Sequence, residues 1–136
     1  MPATSQQPTV LSPQQCRERL ESKEVGRVGW VSAHRPRILP VSYTCFDDFI
    51  VIRTVEGRTL SHLTRRAPVV FEVDNLDETG RRGWSVIVNG FSGSIVAPHE
   101  AALVWKSDLA QPWAPGQRSL LIAVTIETIT GRVFGS

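Results

Sequence analysis

The sequence predicts a mainly β protein, a small antiparallel barrel with a few short helices. Three observations point there. Six short apolar runs, several with a period of two, are separated by Gly, Pro and Asp turns. Most connections are too short to carry the helical crossovers that a parallel sheet needs. Two glycines, Gly90 and Gly93, interrupt the longest run, where a closing barrel requires bends or bulges.

The elements follow in order. Residues 1–10 are polar and contain proline, and are expected to form a flexible tail ahead of a single domain over residues 11–136. Ser12 and Pro13 suit the N-cap and first position of a helix through about residue 22, with Leu11 at N′ and Cys16 and Leu20 four apart. Val28, Trp30 and Ser32 then alternate as a first strand. Arg35-Pro36 is expected to turn the chain into a second strand over 38–46. Pro40 inside it has no N–H to donate, so this strand is at an edge or broken there. Asp47-Asp48 leads into a third strand over 49–54, completing a three-stranded meander.

Leu60 and Leu63 suggest a short helix over 59–66. Strands are expected over 68–74 and 84–96, joined by a polar connection. A helical pattern covers 98–110, and residues 111–118 form a Pro-flanked extended loop. Leu120, Ile122, Val124 and Ile126 share one face of a last strand.

With 136 residues the chain is one domain by size, with a real core but little room for a deep internal cavity. A ligand is then better placed between subunits. The net charge is +2 and the basic residues form no run, which argues against a nucleic-acid partner. No run approaches membrane-spanning length and no signal segment is evident, so a cytoplasmic protein is expected. Cys16 and Cys45 lack metal-type spacing and suggest reduced thiols; no metal is expected.

The residues that suggest chemistry lie after the third strand. Arg53, Thr54, Arg58 and Thr59 fall within seven positions of a strand–glycine–helix turn. Free backbone N–H groups and two guanidinium groups suit a phosphate monoester. A plain joint with solvated arginines is the competing reading. Neither GxxxxGK[ST] nor GxGxxG is present. His34, His62 and His99 form no nucleophile–base set. Glu72 and Asp74 share a strand face, either as an acid pair or as partners of arginine. An anion site without acid–base machinery suggests that a bound cofactor carries the chemistry. Trp113, on a stiff loop five residues before Arg118, suits a flat ligand or a subunit interface.

Six segments in order resemble the pyridoxamine 5′-phosphate oxidase-like superfamily, the flavin-binding split β-barrels, in its short actinobacterial-type branch. They are Val25-Gly26-Arg27-Val28, Leu39-Pro40-Val41-Ser42-Tyr43, Ile52-Arg53-Thr54-Val55-Glu56-Gly57, Ala67-Pro68-Val69-Val70-Phe71-Glu72-Val73-Asp74, Gly83-Trp84-Ser85-Val86-Ile87-Val88, and Pro112-Trp113-Ala114-Pro115-Gly116-Gln117-Arg118. The resemblance implies a six-stranded split barrel, a homodimer, and an FMN-dependent oxidoreductase with flavin at the subunit interface. It implies phosphate contacts from Arg53, Thr54, Arg58 and Thr59. Leu39, Pro40, Val41 and Ser42 would line the ring, with Trp84 and Ser85 nearby. Trp113 and Arg118 would reach in from the partner. Deazaflavin F420 or heme are alternative cofactors, and a non-catalytic binder acting as store or sensor is the alternative function. For heme, His34, His62 and His99 are the candidate ligands. Relatives commonly carry lysine where Thr59 stands and asparagine where Ser42 stands. The longer C-terminal segment that holds pyridoxamine phosphate substrates is not matched, so that substrate is not expected.

Overall fold

Ser12 accepts from the Gln15 backbone N–H at 3.1 Å, and the Gln15 side chain accepts from the Ser12 N–H at 2.9 Å. This capping box, with proline in the first turn, starts helix α1 (Pro13–Glu21). The computed structural model describes residues 8–55, 59–94 and 119–135. Within them the strands are β1 (Thr9–Val10), β2 (Val25–Ser32), β3 (Arg35–Phe46), β4 (Phe49–Val55), β5 (Pro68–Asp77), β6 (Arg82–Ser94), β7 (Ser119–Thr125) and β8 (Thr128–Phe134). A 3₁₀ helix covers Thr59–Thr64.

All the pairings are antiparallel. Six strands close a ring in the order β6-β5-β2-β3-β4-β7, with a β7–β6 pairing completing it. β8 and then β1 continue the sheet beyond β6. The split lies in β6. Its first half pairs with β8 from Gly83 to Asn89, and its end pairs with β7 from Ser92 to Ser94. Gly90 stands where the partner changes. A Cβ there would lie 1.7 Å from the Thr125 carbonyl oxygen, so only glycine lets the strands approach. The Phe91 N–H donates to Thr125 Oγ1 at 3.0 Å across the same junction.

Alternation fills the ring. Val28, Tyr43, Ile50, Ile52, Phe71, Val86, Val88, Ile122 and Val124 are all buried. Tyr43 and Phe71 meet edge to face at 4.8 Å, and the Tyr43 hydroxyl donates to the Leu20 carbonyl of α1. That buried bond ties helix to barrel, and Cys16 and Leu20 complete the contact. Leu60 and Leu63 of the 3₁₀ helix join the same core. A large apolar side chain buried this way contributes about 1.5–3 kcal/mol.

The six-stranded barrel expected from sequence is therefore present, with four differences. The first turn is Ala33-His34, not Arg35-Pro36; both have positive φ (51° and 64°), and Ser32 pairs with Arg35 across a two-residue loop. Without Gly or Asn at those positions the turn carried no composition signal. β8 was not expected. Gly131 interrupts its pattern because the strand passes close under α1: a Cβ there would lie 2.8 Å from Cys16 Sγ. Thr9 and Val10, assigned to the tail, pair with Val133 and Arg132 as β1. The helix after β4 is a 3₁₀ turn of six residues. Pro40 behaves as expected. Among the described residues, β3 pairs with β2 alone from Arg35 to Ser42, and its pairing with β4 begins at Tyr43. The expected helix over 98–110 and loop over 111–118 lie outside the described residues.

Gly90→Ala should lower unfolding stability by about 2 kcal/mol or more in urea titrations, because backbone must move to admit the methyl group. Gly93→Ala, where a Cβ would meet nothing within 4 Å, should change it by less than about 1 kcal/mol. Equal losses at the two positions would contradict the assignment of the split to Gly90.

Candidate functional site

Period two on β4 separates the expected phosphate residues. Ile50 and Ile52 point into the ring, so Val51 and Arg53 point to its outside, and Thr54 points inward again. The outer side is also closed over here. Val51 is 2% exposed, Leu121 and Thr44 are 8% exposed, and Arg53 is 7% exposed. A guanidinium enclosed among such neighbours requires compensating polar or anionic groups. Arg53 pairs across the ladder with Leu121, and Thr54 with Leu120. Ser42 and Arg53 each adjoin the Tyr43–Ile52 pair, so both stand on the outer face, side by side.

Leu39 and Val41 alternate with Pro40 and Ser42 in the same way. Val41 faces inward and is buried, Leu39 shares its side but is 38% exposed, and Pro40 is exposed on the outer face. Trp84 turns inward into the core, with the Arg19 guanidinium 5.4 Å from its ring centre. Ser85 is on the outer face, half-buried, between Asp74 of β5 and Arg132 of β8. From β6 to β3 there are three strand spacings, roughly 14 Å. One chain therefore brings Pro40, Ser42 and Arg53 together but leaves Ser85 at a distance from them. Arg58, Trp113 and Arg118 lie outside the described residues, as does the side chain of Thr59.

Sequence reasoning missed an open trough of about 630 Å³ beside this strand, lined by Gly29, Trp30, Val31, Ile38 and Val70 among others. Gly29 pairs with Ile38 on one side and Val70 on the other, and a Cβ there would lie 2.9 Å from Val70 Cγ1, so the missing side chain lets Val70 pack over the strand. A glycine flanked by Val70, Val31 and Ile38 on three strands was the available signal, but it needed the register to be read. Such a volume falls in the range of small-molecule clefts. Trp30 is 6% exposed, and its indole N–H has no hydrogen-bond partner among the described residues. Trp30 alternates with Gly29 and shares the inward side of Val28, so this donor belongs to the core and not to the outer floor of the trough.

Glu72 and Asp74 resolve toward their arginine-paired alternative. Arg27 donates to Glu72 Oε1 at 3.1 Å and to Asp74 Oδ2 at 3.3 Å. Burial pushes the Glu72 carboxyl up to about 7, Asp74 adds to the rise, and Arg27 opposes it. Burial also raises the Cys45 thiol to about 11 and raises Cys16, so both remain protonated thiols at neutral pH. His34 occupies the exposed first turn, and His62 is exposed on the 3₁₀ helix. Among the described residues no group of three or more His, Cys, Asp or Glu side chains is placed to hold a metal ion. No described helix is long and apolar enough to cross a membrane.

Known proteins agree with this architecture. The uncharacterized protein Rv0080 of Mycobacterium tuberculosis is 28% identical over 135 residues, covering 96% of this chain and 88% of that one. A Corynebacterium glutamicum crystal structure bearing a pyridoxamine 5′-phosphate oxidase description superposes with a TM-score of 0.81 at 29% identity, covering 96% of this chain and 100% of that one. The FAD binding protein from Mycobacterium smegmatis superposes at 0.79 with 27% identity, covering 94% and 98%. The family model described as pyridoxamine 5′-phosphate oxidase matches residues 12–133. With that span matched, and with the ring and its split in place, the chain belongs to the pyridoxamine 5′-phosphate oxidase family of flavin-binding split barrels.

Proposed function

We propose that this protein is a cytoplasmic, homodimeric flavoprotein that binds FMN between its two chains and works as an oxidoreductase. The observation that carries the reading is Arg53, a guanidinium 7% exposed on the outer face of the barrel beside Ser42. A cation in so closed a setting suits a dianionic phosphate better than a solvated counterion. The FAD binding protein among the similar structures supports a flavin in general. The choice of FMN is ours, and rests on a site that offers phosphate charge near a single chain segment.

The described residues fit such a group. The apolar side chains of Val31, Ile38 and Val70 around Gly29 suit contact with the face of a flat ring. Among the described residues, β3 from Arg35 to Ser42 pairs on one side only, which suits a ring lying along the other. When bound, a flavin supplies hydride exchange. The chain's own part is to hold charge at Arg53, to offer backbone and apolar contact along Leu39, Pro40, Val41 and Ser42, and to exclude water. Arg58 and Thr59 are proposed to share the phosphate with Arg53 and Thr54. Thr54 faces inward from β4, so its contribution would be through the backbone at the strand end. Ser85, with Trp113 and Arg118, is proposed to come from the second chain, whereas Trp84, turned into its own core, would act by packing and not by contact with the ring. The roughly 14 Å between Ser85 and the Ser42 strand within one chain supports that division. F420 and heme are the competing cofactors, and a non-catalytic store or sensor is the competing role.

Titration of the purified protein with FMN, riboflavin, F420 and heme tests this directly. FMN should bind at micromolar concentration or tighter. Arg53→Ala combined with Arg58→Ala should weaken FMN by roughly tenfold or more, from the loss of charged hydrogen bonds, while riboflavin changes little. Equal losses for both flavins would contradict the phosphate role. Bound flavin should be bleached anaerobically by NAD(P)H or reduced deazaflavin if the protein is an enzyme; flavin that stays oxidised with every donor supports the store or sensor. A Soret band in the purified protein would favour heme.

A further inference from the structure

The hairpin of β2 and β3 projects past the ring. Pairing of β2 with β5 stops at Gly29, and pairing of β3 with β4 starts at Tyr43. Among the described residues, residues 30–32 and 35–37 therefore pair only with each other. Trp30 stands at the root of this arm, and Arg37 is its cross-strand partner. The side chains of such a pair share a face, about 5 Å apart at Cβ. Arg35 and Leu39 fall on the same face, two residues to either side of Arg37. It is the inward face of the barrel, continued beyond the ring.

Nothing on this arm balances its cations. Residues 25–46 contain no Asp or Glu, and neither do residues 57–71, which include the 3₁₀ helix and the start of β5. Arg27 is held by Glu72 and Asp74 on the outer face. Arg35 and Arg37 are exposed, and neither has an ion-pair partner among the described residues. Trp30 presents the opposite case, 6% exposed with an indole N–H that donates to nothing. Folded chains rarely leave a buried donor so. A free guanidinium and a free indole N–H on one cross-strand pair suit an acceptor that carries negative charge. A carboxylate is small and planar, and brings one charge to desolvate where a phosphate monoester brings nearly two. Leu39, 38% exposed on the same face, offers apolar contact to the rest of such a molecule.

We propose that Trp30 and Arg37 form a carboxylate site at the root of the hairpin arm, and that the substrate is an apolar organic acid held there with its carbon skeleton against Leu39. Arg37 supplies the charge, the Trp30 N–H supplies direction, and Leu39 favours acids with an apolar body over wholly polar anions. Leu39 is also the first residue of the segment proposed to carry the flavin ring, so an acid bound here is brought to the same stretch of β3. The use of the site for a substrate rests on the flavin reading above; the binding of the acid does not.

NMR of the full chain, nitrogen-labelled and free of flavin, tests the site by titration with trans-cinnamate and with its uncharged amide as control. The four tryptophans give four indole N–H signals, and Trp30→Phe identifies the one that belongs to Trp30. Cinnamate should move that signal downfield and bind roughly tenfold tighter than the amide, or more. Arg37→Gln changes an exposed side chain and should erase that preference. Trp30→Phe keeps the aromatic bulk and should weaken cinnamate by about fivefold, from the loss of one hydrogen bond. A Trp30 signal that stays fixed, equal binding of acid and amide, or an Arg37→Gln protein that keeps the wild-type preference would overturn the proposal. If FMN binds a protein that ignores cinnamate, the carboxylate site alone fails. If cinnamate moves the Trp30 signal in a protein that retains no FMN, the carboxylate site stands and the flavin reading fails, together with the substrate role.

Discussion

The structure depends on one close approach, where β6 leaves β8 and takes up β7 at Gly90. The Thr125 carbonyl stands where any Cβ would be, and Thr125 Oγ1 accepts the next backbone N–H. This contact converts a twisted sheet into a ring. Closure removes the free edges that β7 and the end of β6 would otherwise present, and encloses the apolar side of the six ring strands. It also fixes β4 between β3 and β7, and so sets which way Arg53 points.

Once the ring is closed, alternation sorts the polar residues. Inward positions are almost wholly apolar, and Tyr43 spends its hydroxyl on the end of α1. Outward positions divide into two regions. One is the buried ground around Arg53, Val51 and Leu121; the other is the broad face with Arg27, Glu72, Asp74 and Ser85. β3 joins them, because its first half pairs with β2 and its second half pairs with β4. A ligand lying along β3 would thus touch a phosphate-type cation at one end and an apolar trough at the other.

Much of the fold was legible in the sequence because core packing writes itself as period two. The meander β2-β3-β4, the α1 cap at Ser12 and the inward face of Ile122 and Val124 all follow that pattern. Pro40 could be placed from chemistry alone. What was not legible depended on long-range contact. β8 was hidden by Gly131, a glycine required by Cys16 of a distant helix. The Ala33-His34 turn uses residues without turn signatures, held in place by the strands they join. For the site, sequence proximity suggested that Arg53 and Thr54 act together, whereas their side chains face opposite ways. The Gly29 trough needed the cross-strand register before it could be found.

The central claim is that the outer-face arginine holds the phosphate of a flavin shared by two chains. Equilibrium dialysis with FMN, combined with sedimentation of the loaded protein, measures it most directly. The account predicts two flavins per particle of two chains, and a particle that stays double when diluted in excess FMN. Absence of flavin retention at tens of micromolar, or flavin carried by separate single chains, would contradict it.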